Sequence, residues 1–158
     1  MDWQQVIDEP SLQNLPYKIE TDERGRIIMS AHRIGHSVFQ GKINTLLQNS
    51  ALTGLAFPEC AIVTRKGVKV ADVAWASDIT FSVIRDEVAA SIAPELCVEV
   101  LSMSNSEEEM IEKRELYFER GAKEVWVCDE YGDVEFYDQT GHLQASNLFP
   151  NFPNKIVV

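Results

Sequence analysis

Residues 95–128, ELCVEVLSMSNSEEEMIEKRELYFERGAKEVWVC, decide the fold. LCVEVL and EVWVCD are short runs rich in β-branched residues and read as strands. Between them, SMSNSEEEMIEKRELYFERG carries a full set of helix signals. Ser106 and Glu109 have capping-box spacing, acids crowd the first turn where the helix dipole is positive, and Gly121 stands where a left-handed C-terminal cap belongs. Strand, helix and strand in succession make a right-handed crossover between parallel strands.

Upstream, Cys60 to Thr64 and Val68 to Ala76 are two further strand-like runs separated by RKG, whose glycine suits a tight antiparallel hairpin. From Arg33 to Asn49, Ile34, Val38, Ile43, Leu46 and Leu47 recur mainly at three- and four-residue spacing and predict an amphipathic helix. YKIE and RIIMS flank TDERG as a small hairpin, and Ser77 to Pro94 carries weaker signals. Downstream, VEFYD, a QTG turn and a stretch near HLQAS predict a second hairpin. The expected architecture is α/β with a mixed sheet: helix, strand, strand, strand, helix, strand, with hairpins added at both ends. Residues 1–158 read as one domain, without repeat or linker.

Composition agrees with a single compact core: 158 residues, 45% hydrophobic and 25% charged. No uninterrupted apolar run exceeds about four residues, against the roughly 20 a membrane helix needs, and no leader-like segment opens the chain, so a cytoplasmic protein without a membrane partner is expected. Cys60, Cys97 and Cys128 lie far apart with no CxxC and read as buried free thiols. The net charge of -11 discourages polyanionic partners. The acidity is uneven, with 8 bases against 9 acids up to residue 80 and 6 against 16 after it. A face that attracts a polyanion would draw on Arg24, Arg26, Arg33, Lys42, Arg65, Lys66 and Lys69.

Three residues do not fit a plain core. Alternation puts Val68, Val70, Asp72 and Ala74 on one strand face, and Cys97, Glu99 and Leu101 on another. Burying an ionised carboxylate demands a cation, a metal or hydrogen-bond donors beside it. Asp72 and Glu99 could instead lie at half-solvated strand ends or pair with an arginine. If their strands are neighbours, they could share one hard cation such as Mg²⁺, which one or two carboxylates hold while waters and substrate oxygens complete its shell. On the helix, Met110, Lys113 and Tyr117 fall along one stripe, so Lys113 either snorkels outward or points at the acids.

These residues resemble the PD-(D/E)xK restriction-endonuclease-like superfamily, which has the same core order, an Asp on the second core strand and a Glu or Asp on the third. PELCVEVLSMSNSEEEMIEKRELYFERGAKEVWVCDEYGDVEFY, LPYKIETDERGRIIMSAHRIGH and LFPNFPNKI are similar to the branch first catalogued as a domain of unknown function. The resemblance implies that Asp72 and Glu99 hold Mg²⁺, with Mn²⁺ as a substitute, for hydrolysis of DNA phosphodiester bonds. Ala71 replaces the motif proline. Leu101 stands where the motif lysine belongs, and the lysine of this branch, carried on the following helix, matches Lys113. By position, Glu20 and His36 also belong to the site, ahead of His32 and His142. The resemblance further implies a homodimer, since such nucleases often pair to cut both strands, and weak or structure-dependent recognition of DNA. Arg65, Lys66 and Lys69 on the hairpin tip are the candidate nucleic-acid contacts. The alternative is a non-catalytic protein of the same fold that binds protein or nucleic acid.

Overall fold

The computed structural model describes residues 1–158. In chain order it contains α1 (Trp3–Asp8), β1 (Tyr17–Thr21), β2 (Ile27–Ala31), α2 (Ile34–Ser50), β3 (Leu55–Thr64), β4 (Gly67–Ala76), α3 (Asp78–Ile84), β5 (Leu96–Val100), α4 (Glu107–Glu119), β6 (Glu124–Cys128), β7 (Val134–Asp138) and β8 (Gly141–Leu143). A six-stranded sheet runs β3-β4-β5-β6-β7-β8, and β1-β2 form a separate hairpin. Only β5 and β6 pair in parallel, joined across α4 as the crossover predicts. The other neighbours are antiparallel, so the sheet is mixed, as expected.

Ser106 caps α4 by accepting from the Glu109 amide at 3.2 Å. The reciprocal half of the capping box is missing, because the Glu109 carboxylate accepts from Asn105 instead. Two helices escape the sequence pattern. Helices α1 and α3 have six and seven residues, too short to display a full amphipathic period. Their caps are real nonetheless: Asp2 and Gln5 form a complete capping box, and Ser77 accepts from the Thr80 amide. The strand before the RKG turn also begins earlier than expected, at Leu55 rather than Cys60.

Two apolar clusters cover the sheet. One joins Phe39, Ile43 and Leu47 of α2 to Val73, Val98, Trp126, Phe149 and Phe152. The other joins Ile62, Ala74, Cys97 and Val125 to Tyr117 of α4 and Ile84 of α3. Full burial of each large side chain contributes roughly 1.5–3 kcal/mol. The inward face of α2 is rotated from the predicted one: Ile34 is 85% exposed, and His36 is buried in its place. All three cysteines are buried and unpaired. No helix is long and apolar enough to cross a membrane.

The arrangement of β1 follows from unequal strand lengths. Strand β4 has ten residues and β5 only five, and their pairing covers Val73 to Trp75. The edge of β4 before Asp72 therefore needs other acceptors. Side chains of β1 supply them: Thr21 Oγ1 accepts from the Val68 amide at 2.9 Å and Glu20 Oε2 from the Val70 amide at 2.6 Å. Gly67 sits at φ +90, and a Cβ there would come within 2.4 Å of the Thr21 and Asp22 carbonyl oxygens, so the β3–β4 turn and the β1–β2 hairpin close on each other only with glycine.

Candidate active site

The pairing of β4 with β5 matches Val73 to Val98 and Ala74 to Cys97. One further step in that register sets Asp72 opposite Glu99, and directly opposed residues share a face. Strict alternation does not run through Asp72, because Ala71 and Ala74, three apart, pack in the same cluster. Across the sheet from Asp72, Glu59 of β3 adopts a left-handed conformation at φ 59, a strained geometry for a side chain other than glycine. The Asp72 carbonyl accepts instead from Gln40 Nε2 at 2.8 Å, and the same amide donates to Glu59 at 3.0 Å.

Asp72 and Glu99 are 1% and 2% exposed and are met by two ammoniums from distant elements. Lys18 of β1 lies 3.3 Å from Asp72 Oδ1 and 3.1 Å from Glu99 Oε2. Lys113 of α4 donates to Glu99 Oε1 at 2.6 Å and to Glu20 Oε2 at 2.8 Å. Tyr117 donates to Glu99 Oε1 at 3.3 Å. Asp72 Oδ2 accepts from the Val100 amide at 2.8 Å and lies 3.4 Å from His36 Nε2. The His36 ring stacks on His32 with centroids 4.1 Å apart.

Three carboxylates against two ammoniums in one buried place set opposing pKa shifts. Burial opposes ionisation of Asp72, but Lys18, the His36 contact and the Val100 amide outweigh it and lower its pKa. Burial likewise opposes ionisation of Glu20, and Lys113 and Lys18 reverse the balance. For Glu99, burial prevails: its pKa is raised despite Lys113 and Lys18, with Asp72 and Glu20 adding repulsion. Burial works against the charge of Lys18, yet Glu99, Asp72 and Glu20 together raise its pKa. Neighbouring carboxylates pushed in opposite directions are characteristic of sites that do chemistry.

All five residues singled out in the sequence, Glu20, His36, Asp72, Glu99 and Lys113, thus come together. Arg114, next to Lys113 on α4, turns away from the cluster and lies over the Tyr137 ring, 3.9 Å from its centroid. Sequence reasoning missed Lys18 and Tyr117. The hairpin tip differs from its expected role. Lys69 is buried and donates to the Thr21 carbonyl at 2.8 Å, so it presents no charge at the surface. Arg65 and Lys66 pair with Glu119 and Glu112 of α4 at 3.0 Å each. His142 lies apart, edge-on to the Tyr137 ring.

The chain matches the Uma2 family, described as "Putative restriction endonuclease", over residues 4–154. It belongs to that family. Among solved structures, it resembles a protein of Anabaena variabilis described as "a putative nuclease belonging to DUF820", with a TM-score of 0.72. The two share 19% identity over 90% of this chain and 83% of that one, so the likeness shows the fold. No curated protein gives a match.

The donor set fits the divalent cation that Uma2 membership suggests. Asp72 Oδ1 is buried and accepts no hydrogen bond, although Lys18 is within ion-pair distance. No three His, Cys, Asp or Glu side chains close around a single point, because two ammoniums stand among the carboxylates. Mg²⁺ needs only one or two carboxylates and keeps waters for the rest. Two clefts flank the cluster. One of about 740 Å³ is lined by Arg33, His36, Phe39, Leu101, Asn105 and Tyr131 among others, and one of about 360 Å³ by Tyr17, Lys18, His32, Arg33, Ser37 and Glu59 among others.

Proposed function

We propose that the chain is a divalent-metal-dependent endonuclease that hydrolyses DNA phosphodiester bonds. One observation carries this reading: Asp72 and Glu99, buried on adjacent strands, present oxygens to a single shared cation position. Asp72 and Glu99 would hold Mg²⁺ or Mn²⁺ there. The ion supplies Lewis-acid stabilisation of phosphoryl charge and a water that is easier to deprotonate.

Lys113 stands against Glu99, where its ammonium can orient the attacking water and offset charge developing on the phosphate. Glu20 acts through Lys113, and His36 acts through Asp72; both are positioning residues. Arg33 makes no ion pair and borders both clefts, where it offers a free cation to the DNA backbone. Arg65 and Lys66 would reach phosphate only by giving up Glu119 and Glu112. One site per chain cuts one strand, so cutting both strands calls for two copies, consistent with a homodimer.

The test is cleavage of supercoiled plasmid DNA with Mg²⁺ or Mn²⁺. Asp72→Asn and Glu99→Gln should each cut the rate by at least about 100-fold while keeping the far-ultraviolet dichroism of the parent. Undiminished cleavage in both variants overturns the assignment. The binding-module alternative draws on Lys18 and Lys113, which already occupy the carboxylates of the cluster. That alternative, a module that binds protein or nucleic acid, requires DNA to be left uncut by the unaltered protein.

A further inference from the structure

The carboxylates that would hold the metal already hold a cation of the chain itself. Lys18 Nζ is 3.3 Å from Asp72 Oδ1 and 3.1 Å from Glu99 Oε2, one oxygen from each strand. An ion bonded to both oxygens at about 2.0–2.1 Å has to lie in the gap between them, and that gap is where the ammonium sits. The two lysines of the cluster are not equivalent. Lys113 is held from the other side by Glu20 and Glu99 and makes no contact with Asp72. Lys18 borders the cleft of about 360 Å³ that also exposes His32, Arg33 and Glu59.

Charge balance favours an exchange. Glu20, Asp72 and Glu99 carry three negative charges, which Lys18 and Lys113 do not fully neutralise. A divalent ion together with Lys113 does. Retaining Lys18 as well would force an ammonium and a dication together in a buried place. We propose that Lys18 is a placeholder cation: it fills the metal position in the metal-free protein and turns into the adjoining cleft when a divalent ion binds. There it joins Arg33 as a second positive charge for the nucleic-acid backbone, so metal loading and DNA binding reinforce each other. This inference rests on the metal-dependent reading above.

Amine acetylation of the unaltered protein, mapped by peptide mass spectrometry with and without Mg²⁺, tests it. An ion-paired, buried ammonium is protected, and reactivity follows the fraction that is released. Lys18 labelling should rise about tenfold or more with Mg²⁺ and fall again with chelator, while Lys113 stays protected. In parallel, calorimetry with Mn²⁺ should show binding that Asp72→Asn abolishes and Lys18→Met tightens by about tenfold or more. Asp72-dependent Mn²⁺ binding with Lys18 still protected overturns the placeholder and leaves the nuclease reading standing. Absence of Mn²⁺ binding in both the unaltered protein and Lys18→Met overturns both. The labelling arm needs no variant, so a Lys18→Met protein that fails to fold does not blunt it.

Discussion

Glu99 and Glu124 are both buried carboxylates, on neighbouring parallel strands, and their surroundings separate chemistry from architecture. Glu124 accepts from Trp126 Nε1, Ser146 Oγ and the amides of Asn147 and Leu148 at 2.6–2.9 Å, so each oxygen carries two donors and no cation is needed. Glu124→Gln would turn an amide donor against two of those donors. The expected loss is about 3 kcal/mol, seen as a fall in Tm of about 6–12 °C, without change in metal affinity. Glu99 instead meets two ammoniums and a phenol, and its pKa is raised. Asp72 and Glu99 were legible because an acid inside an apolar strand run demands a partner. Lys113 was legible from its place between Met110 and Tyr117. Lys18 was not, because a lysine in a strand is ordinarily solvated, and only the docking of β1 on β4 buries it. Tyr117 looked like core and is core, with its hydroxyl turned to the site.

At the scale of elements, the β1–β2 hairpin does the most for the site, since it brings both Lys18 and Glu20. Its turn is held by Asp22, which accepts from the Arg24 and Arg26 amides and pairs with the Arg26 guanidinium. Foremost among these contacts, the Arg26 amide lowers the Asp22 pKa to about 2. A depressed carboxylate contributes stability above its unfolded pKa of about 3.9 and loses it as pH falls toward 2. A titration of the Asp22 side-chain carboxyl by NMR should give a midpoint near 2, and hairpin resonances should shift with it. A midpoint near 4 would show that the turn contacts do not persist in solution. The hairpin, the crossover and both long helices were readable from period and caps. Helices α1 and α3 were not, because fewer than two turns leave no stripe to see, and the rotated face of α2 was hidden because His36 replaces a hydrophobe above Asp72.

For the whole molecule, the acidic balance is partly an internal arrangement. Glu112 and Glu119 of α4 cover Lys66 and Arg65 on the β3–β4 turn. Neutralising them in Glu112→Gln with Glu119→Gln should free both bases. DNA affinity should rise, and the salt dependence should steepen by up to about two units of slope, measured by anisotropy at several salt concentrations. An unchanged slope would show that this turn does not face the DNA. The docking of β1 on β4 has one more consequence, which concerns time. Its bonds join residues 47, 48 and 50 positions apart, and the lysine contacts of the site span 81 and 93. Closing such loops is entropically late, so the hairpin should dock after the folding barrier is crossed. Thr21→Val, which leaves the Val68 amide unpaired, should then cost about 1–2 kcal/mol almost wholly as faster unfolding in a chevron, with the refolding limb unmoved. The site would be the last part of the protein to assemble and the first to come apart.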